Sequence, residues 1–353
     1  MNFKKVLTVI LIGVLCITLF SGCGGDAGKE NVITTAQPDI TAEKTIVVAG
    51  QNENLGFWQN VKKGAEEAAR KYGYTLTYIG TDEDNPQDVS THVSVIGKVI
   101  DKDISGVVVA PLGEGYSQVL SKLYDKSVPV VQIDSIVEDD VEKLETNRKN
   151  PIVSTVSTSY EDAGAECAEK LFEAVKERME KSENIYVVGV LVREDNKADE
   201  LKAKGFTEKF SELADADNAV KDKYKIEKES GNNYAENFNE LIEDNAKAIF
   251  ITHSDISDKI SDTVFADSQK YKDVVFCGFE SGAKQIKWLD SEGEHQFIGG
   301  MVQNPYDLGY NAVEQCVFAV EGKEVKPEVK IKGQWYDKNN VDKMKQDNMV
   351  FEK

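Results

Sequence analysis

One stretch near the N-terminal end limits what this chain can fold into more than any other. It runs from Thr45 to Tyr74 and reads TIVVAGQNENLGFWQNVKKGAEEAARKYGY. Its first five residues carry no charge and no polar alternation, which is typical of a strand buried on both faces of a parallel sheet. From Phe57 onward, apolar residues recur at helical spacing until Gly73 ends the helix. The stretch therefore predicts a strand–loop–helix unit whose loop lies at the carboxyl end of the strand, where open α/β sheets bind ligands.

The same alternation of strand and helix continues along the chain. In the first half it predicts strands at 75–79, 106–110, 128–133 and 152–156, helices at 88–101 and 115–125, and a charged surface loop at 136–149. In the second half it predicts helices at 160–181, 198–213, 234–244, 254–270 and 304–320, and strands at 184–191, 225–228, 248–252, 274–278 and 296–301, followed by a tail that contains residues 329–332. This pattern predicts parallel βαβ units with right-handed crossovers. Because 353 residues exceed one ordinary core, we expect two similar α/β halves.

The first 22 residues have the pattern of an export signal. Lys4 and Lys5 precede an apolar run from Val6 to Phe20, which is shorter than a membrane-spanning helix requires. The ending Leu-Phe-Ser-Gly-Cys resembles the lipobox of bacterial lipoproteins, which implies cleavage before Cys23 and lipidation of that residue. Residues 23–43 then form the lipidated cysteine and a flexible tether, since they are polar and rich in small residues. The alternative is a soluble secreted protein cut nearby.

Charge and cysteine content exclude several classes of protein. The formal net charge is −20, and it becomes −22 without residues 1–22, which contain two lysines and no acidic residue. A strongly acidic surface argues against nucleic acid or anionic lipid as a partner. Cys167, Cys277 and Cys316 have no spacing typical of a disulfide framework, so we expect buried thiols.

The sequence lacks the common signatures of catalysis. Its three histidines, His92, His253 and His295, are far apart and fit no metal-binding spacing. No GxSxG elbow, Walker A loop or GxGxxG motif follows a predicted strand. We therefore expect a binding protein without a cofactor and not an enzyme.

Polar and aromatic residues instead collect at the carboxyl ends of the predicted strands. Phe57 and Trp58 lie beside several amides, and such a loop is a plausible sugar platform because aromatic rings stack on the C–H face of a pyranose. In a two-domain α/β protein these strand ends can face one crevice. Each polar residue could equally be a helix N-cap or a solvated loop group, above all Ser254 and Asp255, which open a predicted helix.

Several segments, taken in order, resemble a known family. They read IVVAGQNENLGFWQNVKKGAEEAARKYGY, GVVVAPL, VPVVQID, YEDAGAECAEKL, KAKGF, VVFCGFESG and GGMVQNPYDLGYNAV. From Lys44 to the tail, the chain is similar to the periplasmic-binding-protein-like type I sugar-binding proteins, close in pattern to the ribose-binding proteins of ABC transporters. The resemblance implies two doubly wound parallel-sheet α/β lobes joined by a three-segment hinge. The lobes would be residues 44–156 with 304–332, and residues 157–303 with 333–353.

The resemblance also implies a set of ligand-binding residues. Phe57 and Trp58 match the family's aromatic pair, Asp134 matches an aspartate that takes two sugar hydroxyls, and Gln303 matches a hinge glutamine. The remaining candidates, which match the family less closely, are Asn54, Glu200, Tyr234, Ser254 and Glu280. Ser135 and Glu200 stand where the family often has arginines, so we expect a carboxylate-rich pocket that disfavours acidic ligands.

The sequence as a whole predicts an extracytoplasmic solute-binding lipoprotein, anchored to the cell membrane at Cys23. Its ligand would be a monosaccharide, a polyol or an amino sugar, delivered to an ABC permease. The alternative is a sensory receptor of the same fold that presents its closed form to a histidine kinase or chemoreceptor. A related LacI-type repressor is not expected, because the N-terminal region has an export signal in place of DNA-binding helices.

Overall fold

The fold is built on two six-stranded β-sheets. The computed structural model describes residues 44–52, 56–81, 88–290, 296–347, 349 and 350. The first sheet has the strand order β11-β5-β4-β3-β1-β2, with every neighbouring pair parallel. Its strands are β1 (Thr45–Ala49), β2 (Thr75–Ile79), β3 (Gly106–Val109), β4 (Val130–Ile133), β5 (Ile152–Thr158) and β11 (Glu328–Ile331).

The second sheet repeats this arrangement with one difference. Its strands are β6 (Tyr186–Val192), β7 (Tyr224–Ser230), β8 (Ala246–Ile251), β9 (Val275–Phe279), β10 (Gln296–Val302) and β12 (Gln334–Tyr336). The order is β12-β10-β9-β8-β6-β7, and β12 runs antiparallel to β10. Only two residues separate β11 from β12, so the chain enters the second sheet at the carboxyl end of β10 and must run against it. The prediction of two parallel-sheet lobes is confirmed, and β12 is an antiparallel strand at the edge of the second sheet.

Helices pack on the sheets throughout the described residues. They are α1 (Gly56–Tyr72), α2 (Val89–Ile100), α3 (Ser117–Asp125), α4 (Glu138–Thr146), α5 (Tyr160–Lys181), α6 (Lys197–Ala216), α7 (Tyr234–Glu243), α8 (Ser254–Ala266), α9 (Ser268–Tyr271), α10 (Ala283–Asp290), α11 (Pro305–Val320) and α12 (Val341–Gln346). The predicted helix at 254–270 is two helices that meet at Asp267. The sequence patterns did not predict α10 and α12.

The predicted surface loop at 136–149 was wrong, because this stretch contains α4. Val137 and Leu144 are buried, and they lie seven residues apart, on the same side of a helix. The carboxylate of Asp140 is also buried, where its Oδ2 accepts the backbone N–H groups of Gly115 and Tyr116 at 2.6 and 2.5 Å. Because most residues of α4 are charged, the sequence pattern did not indicate that one side of this helix is buried.

Each half contains one close helix–helix contact of the same kind. In the first half, Gly64 of α1 packs against α11, and in the second half Gly164 of α5 packs against α6. A Cβ atom at either glycine would lie 2.0 Å from a backbone carbonyl oxygen of the other helix. Only glycine permits backbones to approach this closely. In the second half the contact fixes the first turn of α5 beside the carbonyl of Lys202.

The chain passes between the two sheets at three places. It crosses after β5 into α5, after β10 into α11, and between β11 and β12. Both sheets belong to one compact unit. Apolar cores cover both faces of each sheet and enclose Cys167, Cys277 and Cys316 as free, buried thiols, as predicted. No helix in the described part of the chain is long and apolar enough to cross a membrane.

Candidate functional site

Two acidic residues hold matching positions in the two sheets. Asp134 directly follows β4 and Glu280 directly follows β9, and each of these strands is third from the edge that β11 or β12 forms. Both residues have left-handed backbone conformations, with φ of 69° and 65°. The N–H of Asp134 donates to the carbonyl of Val156 at 2.9 Å, and that of Glu280 donates to Met301 at 2.6 Å. The two halves therefore each present one carboxylate at the carboxyl ends of the strands.

The carboxylate of Glu280 is supplied with hydrogen-bond donors by the loop that follows β8. Its Oε2 accepts from Oγ of Ser254 at 2.8 Å and lies 2.9 Å from Nε2 of His253. Nδ1 of His253 accepts the N–H of Asp255 at 3.1 Å, so Nε2 is the ring nitrogen that faces Glu280. Burial works to raise the pKa of Glu280, but the hydrogen bond from His253, the charges of His253 and Lys202 and the hydrogen bond from Ser254 outweigh it and hold the pKa at about 2.

Asp134 is less well supplied with donors. Its Oδ1 is buried and accepts no hydrogen bond from the described residues. Burial, together with the charge of Glu280, raises the pKa of Asp134 to about 6, although the charge of Lys202 and a hydrogen bond from Ser135 act in the opposite direction. The carboxylates of Asp134 and Glu280 are thus close enough to repel each other. A buried oxygen without a partner is uncommon in folded proteins and indicates a missing donor.

The sequence explains why the two carboxylates differ. Ala110 follows β3 and Thr252 follows β8, and their N–H groups donate to matching strands, at Ala49 and Leu191. The next two residues are His253 and Ser254 in the second half, but a proline and a leucine, residues 111 and 112, in the first half. Neither side chain of the latter pair carries a donor. The donor for Asp134 must therefore come from another part of the chain or from a bound molecule.

Two cations lie beside these carboxylates, which the sequence did not predict. Asp199 is fully buried, and its carboxylate receives Nε of Arg193 at 2.7 Å and Nζ of Lys202 at 2.9 Å. Burial works to raise the pKa of Asp199, but the charges of Lys202 and Arg193 lower it below its ordinary value. Ser135 and Glu200 stand where the family often has arginines, but Arg193 and Lys202 supply cations from other positions. The signal for Lys202 was its place three residues after Asp199, on the helix face that also carries Phe206.

The ammonium group of Lys202 contacts groups from several elements of the second half. Its ammonium donates to Asp199 and to the carbonyl of Thr252 at 3.0 Å, and it lies 3.9 Å from the ring centroid of Phe279. Tyr160, the first residue of α5, has its ring centroid 5.3 Å from the same ammonium. Burial and the nearby charges of Asp134, Glu280 and Asp199 raise the pKa of Tyr160 well above its ordinary value. Tyr160 therefore belongs to this group, and sequence reasoning missed it.

The two predicted aromatic residues lie at the start of α1. Trp58 is 4% exposed and packs in the apolar core of the first half, whereas Phe57 is half-buried at the edge of that core. Their ring centroids are 5.2 Å apart with an interplanar angle of 76°. This edge-to-face contact means that the two rings do not form one flat stacking surface.

The other predicted site residues divide into four groups. Ser254 contacts Glu280, and Tyr234 lies at the start of α7, where burial and the charge of Asp255 raise its pKa while Arg193 lowers it. Gln303 lies where the chain crosses between the sheets. Glu200 is exposed and pairs with exposed Lys228 at 2.8 Å, so it does not join the group around Asp134. Asn54 and Cys23 lie outside the described residues.

The site offers hydrogen-bond acceptors, donors and aromatic surface. Within the residues that the structure describes, no group of three or more His, Cys, Asp or Glu side chains could hold a metal ion.

Comparison with known proteins agrees with this architecture. The sequence family described as periplasmic binding protein domain matches residues 46–324. One similar structure is described as an ABC transporter, LacI family transcriptional regulator, from Brachyspira murdochii. It has 24% identity and a TM-score of 0.74, and the match covers 88% of this chain and 99% of that one. AraP, an arabinose-binding protein from Geobacillus stearothermophilus, has 16% identity, a TM-score of 0.68 and coverage of 86% and 99%.

A third similar structure is a carbohydrate transporter solute-binding protein from Agrobacterium radiobacter in complex with D-arabinose. It has 19% identity and a TM-score of 0.60, and the match covers 88% of this chain and 100% of that one. No significant match was found among curated proteins. Because the family match spans most of the chain and both sheets, this protein belongs to the periplasmic binding protein family and has its type I fold.

Proposed function

We propose that this protein is an extracytoplasmic solute-binding protein of an ABC transporter, which binds a small sugar or polyol-like ligand between its two halves and delivers it to a permease. The observation that carries this proposal is the buried Oδ1 of Asp134, which has no hydrogen-bond donor among the described residues. A hydroxyl group of a ligand would supply that donor. Carboxylates accept charge-assisted hydrogen bonds, which are among the stronger ones in proteins.

The surroundings of Asp134 support a ligand held by both halves. Tyr160, Glu280 and Lys202 belong to elements of the second half, and all three interact electrostatically with Asp134 or its neighbours. The proteins of similar fold include one in complex with D-arabinose and one that binds arabinose. Phe57 and Tyr234, both half-buried at the starts of helices, are the proposed aromatic contacts to the ligand.

Hinge motion between the halves is part of the proposal. The lobes would be residues 44–156 with 304–332, and 157–303 with 333–353, moving about the three places where the chain crosses. An exposed ion pair joins Lys197, the first residue of α6, to Glu138, the first residue of α4. Contacts made only in the closed state drive such closure, and the ligand adds to them.

We also propose that the mature protein begins at lipidated Cys23, after removal of residues 1–22. Acyl chains would hold it at the membrane, since each buried methylene contributes about 0.8 kcal/mol. Mass spectrometry of the protein from its native membrane tests this directly. A Cys23→Ser variant should lose the acyl mass and be released from the membrane fraction, and an unchanged membrane fraction would contradict the anchor.

A thermal-shift screen tests the binding proposal. Sugars, polyols, amino sugars and nucleosides are added to the purified protein, and a ligand that binds only the folded form raises its melting temperature. The best hit should lose its shift in Asp134→Asn. Asp139→Asn removes an exposed carboxylate five residues away and should keep the shift. An equal shift in Asp134→Asn and in the unmodified protein would remove Asp134 from the site.

A further inference from the structure

The charges around Asp134 indicate more than a hydrogen-bonding ligand. Four carboxylates, those of Asp134, Asp199, Asp255 and Glu280, lie in this group with two cations, Arg193 and Lys202. Both cations are paired with Asp199, at 2.7 and 2.9 Å, and Arg193 also lies 3.6 Å from Asp255. His253 lies 2.9 Å from Glu280. Neither cation is therefore paired with Asp134.

Of these four carboxylates, that of Asp134 has a buried oxygen without a hydrogen bond from the described residues. Glu280 has two donors on Oε2, whereas Oδ1 of Asp134 has none from the described residues. Among the described residues, no cation lies within ion-pairing distance of Asp134. Lys202 cannot turn toward Asp134 without leaving Asp199 and the carbonyl of Thr252, and the ring of Phe279 covers it at 3.9 Å.

We infer that the ligand carries an ammonium group that binds at Oδ1 of Asp134; the inference rests on the proposed function and narrows its ligand class. A hydroxyl would supply one donor and no charge. An ammonium supplies three donors and a positive charge, so it satisfies Oδ1 and offsets the repulsion between Asp134 and Glu280. In a closed, poorly hydrated cleft such charge complementarity acts more strongly than in water. An acidic ligand would meet the same two carboxylates and be repelled.

Matched sugars test the inference because they change one substituent at a time. The full mature chain is titrated by calorimetry at pH 7 with D-glucosamine, D-galactosamine and D-mannosamine, each beside its neutral parent hexose and its N-acetyl derivative. The N-acetyl compound keeps the nitrogen but removes the charge. In at least one series we expect the amino sugar to bind tenfold or more tightly than both neutral members.

The Asp134→Asn variant makes the test specific. It should bring the amino sugar and its parent to within about twofold of each other, whereas Asp139→Asn should keep the tenfold preference. If neutral sugars bind as tightly as amino sugars in every series, the ammonium inference fails and the proposed function stands. If neither class binds, the result counts against both. A preference that persists in Asp134→Asn would place the ammonium elsewhere and overturn the assignment to Oδ1.

Discussion

Thr158 donates a hydrogen bond from its Oγ1 to Oε1 of Gln303 at 2.6 Å, and the two residues hold matching positions in the two sheets. Each lies two residues after the carbonyl that accepts the N–H of Asp134 or Glu280, namely those of Val156 and Met301. The halves thus meet through equivalent residues where the chain crosses between them. Their hydrogen bond therefore joins the two crossing segments close to the backbone groups that position Asp134 and Glu280.

Replacing Thr158 by valine should destabilise the protein. The change keeps the β-branched shape but removes the donor to Gln303, and a half-buried acceptor that loses its partner costs about 1–2 kcal/mol. Urea unfolding measures the free energy of unfolding. Thr75→Val is the matched control, because Thr75 is exposed on edge strand β2. Equal stability of the two variants would show that the Thr158–Gln303 bond contributes nothing.

The stability of the unliganded protein should depend on the ionisation of Asp134. Its pKa is about 6 in the folded protein against an ordinary value of 3.8, so the unfolded chain loses this proton more readily. This difference in pKa lowers the free energy of unfolding. The loss is absent below pH 3.8, grows as the pH rises, and is complete above pH 6. Each pKa unit corresponds to about 1.4 kcal/mol.

Asp134→Asn should therefore raise the melting temperature at pH 7.5, by the equivalent of about 1–3 kcal/mol, and the gain should shrink as the pH falls to 4. Melting curves of Asp134→Asn, Asp139→Asn and the unmodified protein between pH 4 and 8 provide the measurement. A gain that stays constant with pH would show that the carboxylate of Asp134 is not under electrostatic strain.

The buried ion pairs of Asp199 make Lys202 a sensitive position. Lys202→Met removes one of two cations from a fully buried carboxylate, and we expect a loss of about 2–4 kcal/mol in the free energy of unfolding. Lys204→Met, two residues along the same helix, breaks only exposed pairs with Glu161 and Glu208 and should have no measurable effect. Similar losses in both variants would contradict a special role for Lys202.

The close contact between α5 and α6 predicts a contrast between two glycines. Gly164→Ala places a Cβ 2.0 Å from the carbonyl oxygen of Lys202, so the helices must separate; we expect a loss of about 2 kcal/mol or more. Gly97→Ala, inside α2, meets no atom within 4 Å and should gain up to about 1 kcal/mol from helix propensity. Thermal unfolding distinguishes the two, and a stabilising Gly164→Ala would refute the close packing.

The two-sheet α/β fold could be predicted from the sequence because its signals are local. The uncharged run Thr45–Ala49 and the apolar spacing after Phe57 lie within single elements, and the structure confirms both. Where the local signal was ambiguous, prediction failed. The charges of α4 resembled a loop, and the direction of β12 depended on where β11 leaves the first sheet.

The sequence by itself determined the order of strands and helices and the acidic residues at the strand ends, since periodicity and turn chemistry act over a few neighbouring residues. Only the tertiary structure decided which charges are paired. Asp134 and Glu280 are 146 positions apart in the sequence, yet they interact electrostatically, and the donors that satisfy Glu280 come from a separate loop. Electrostatic partners are set by distance in space and by burial, which no local pattern encodes.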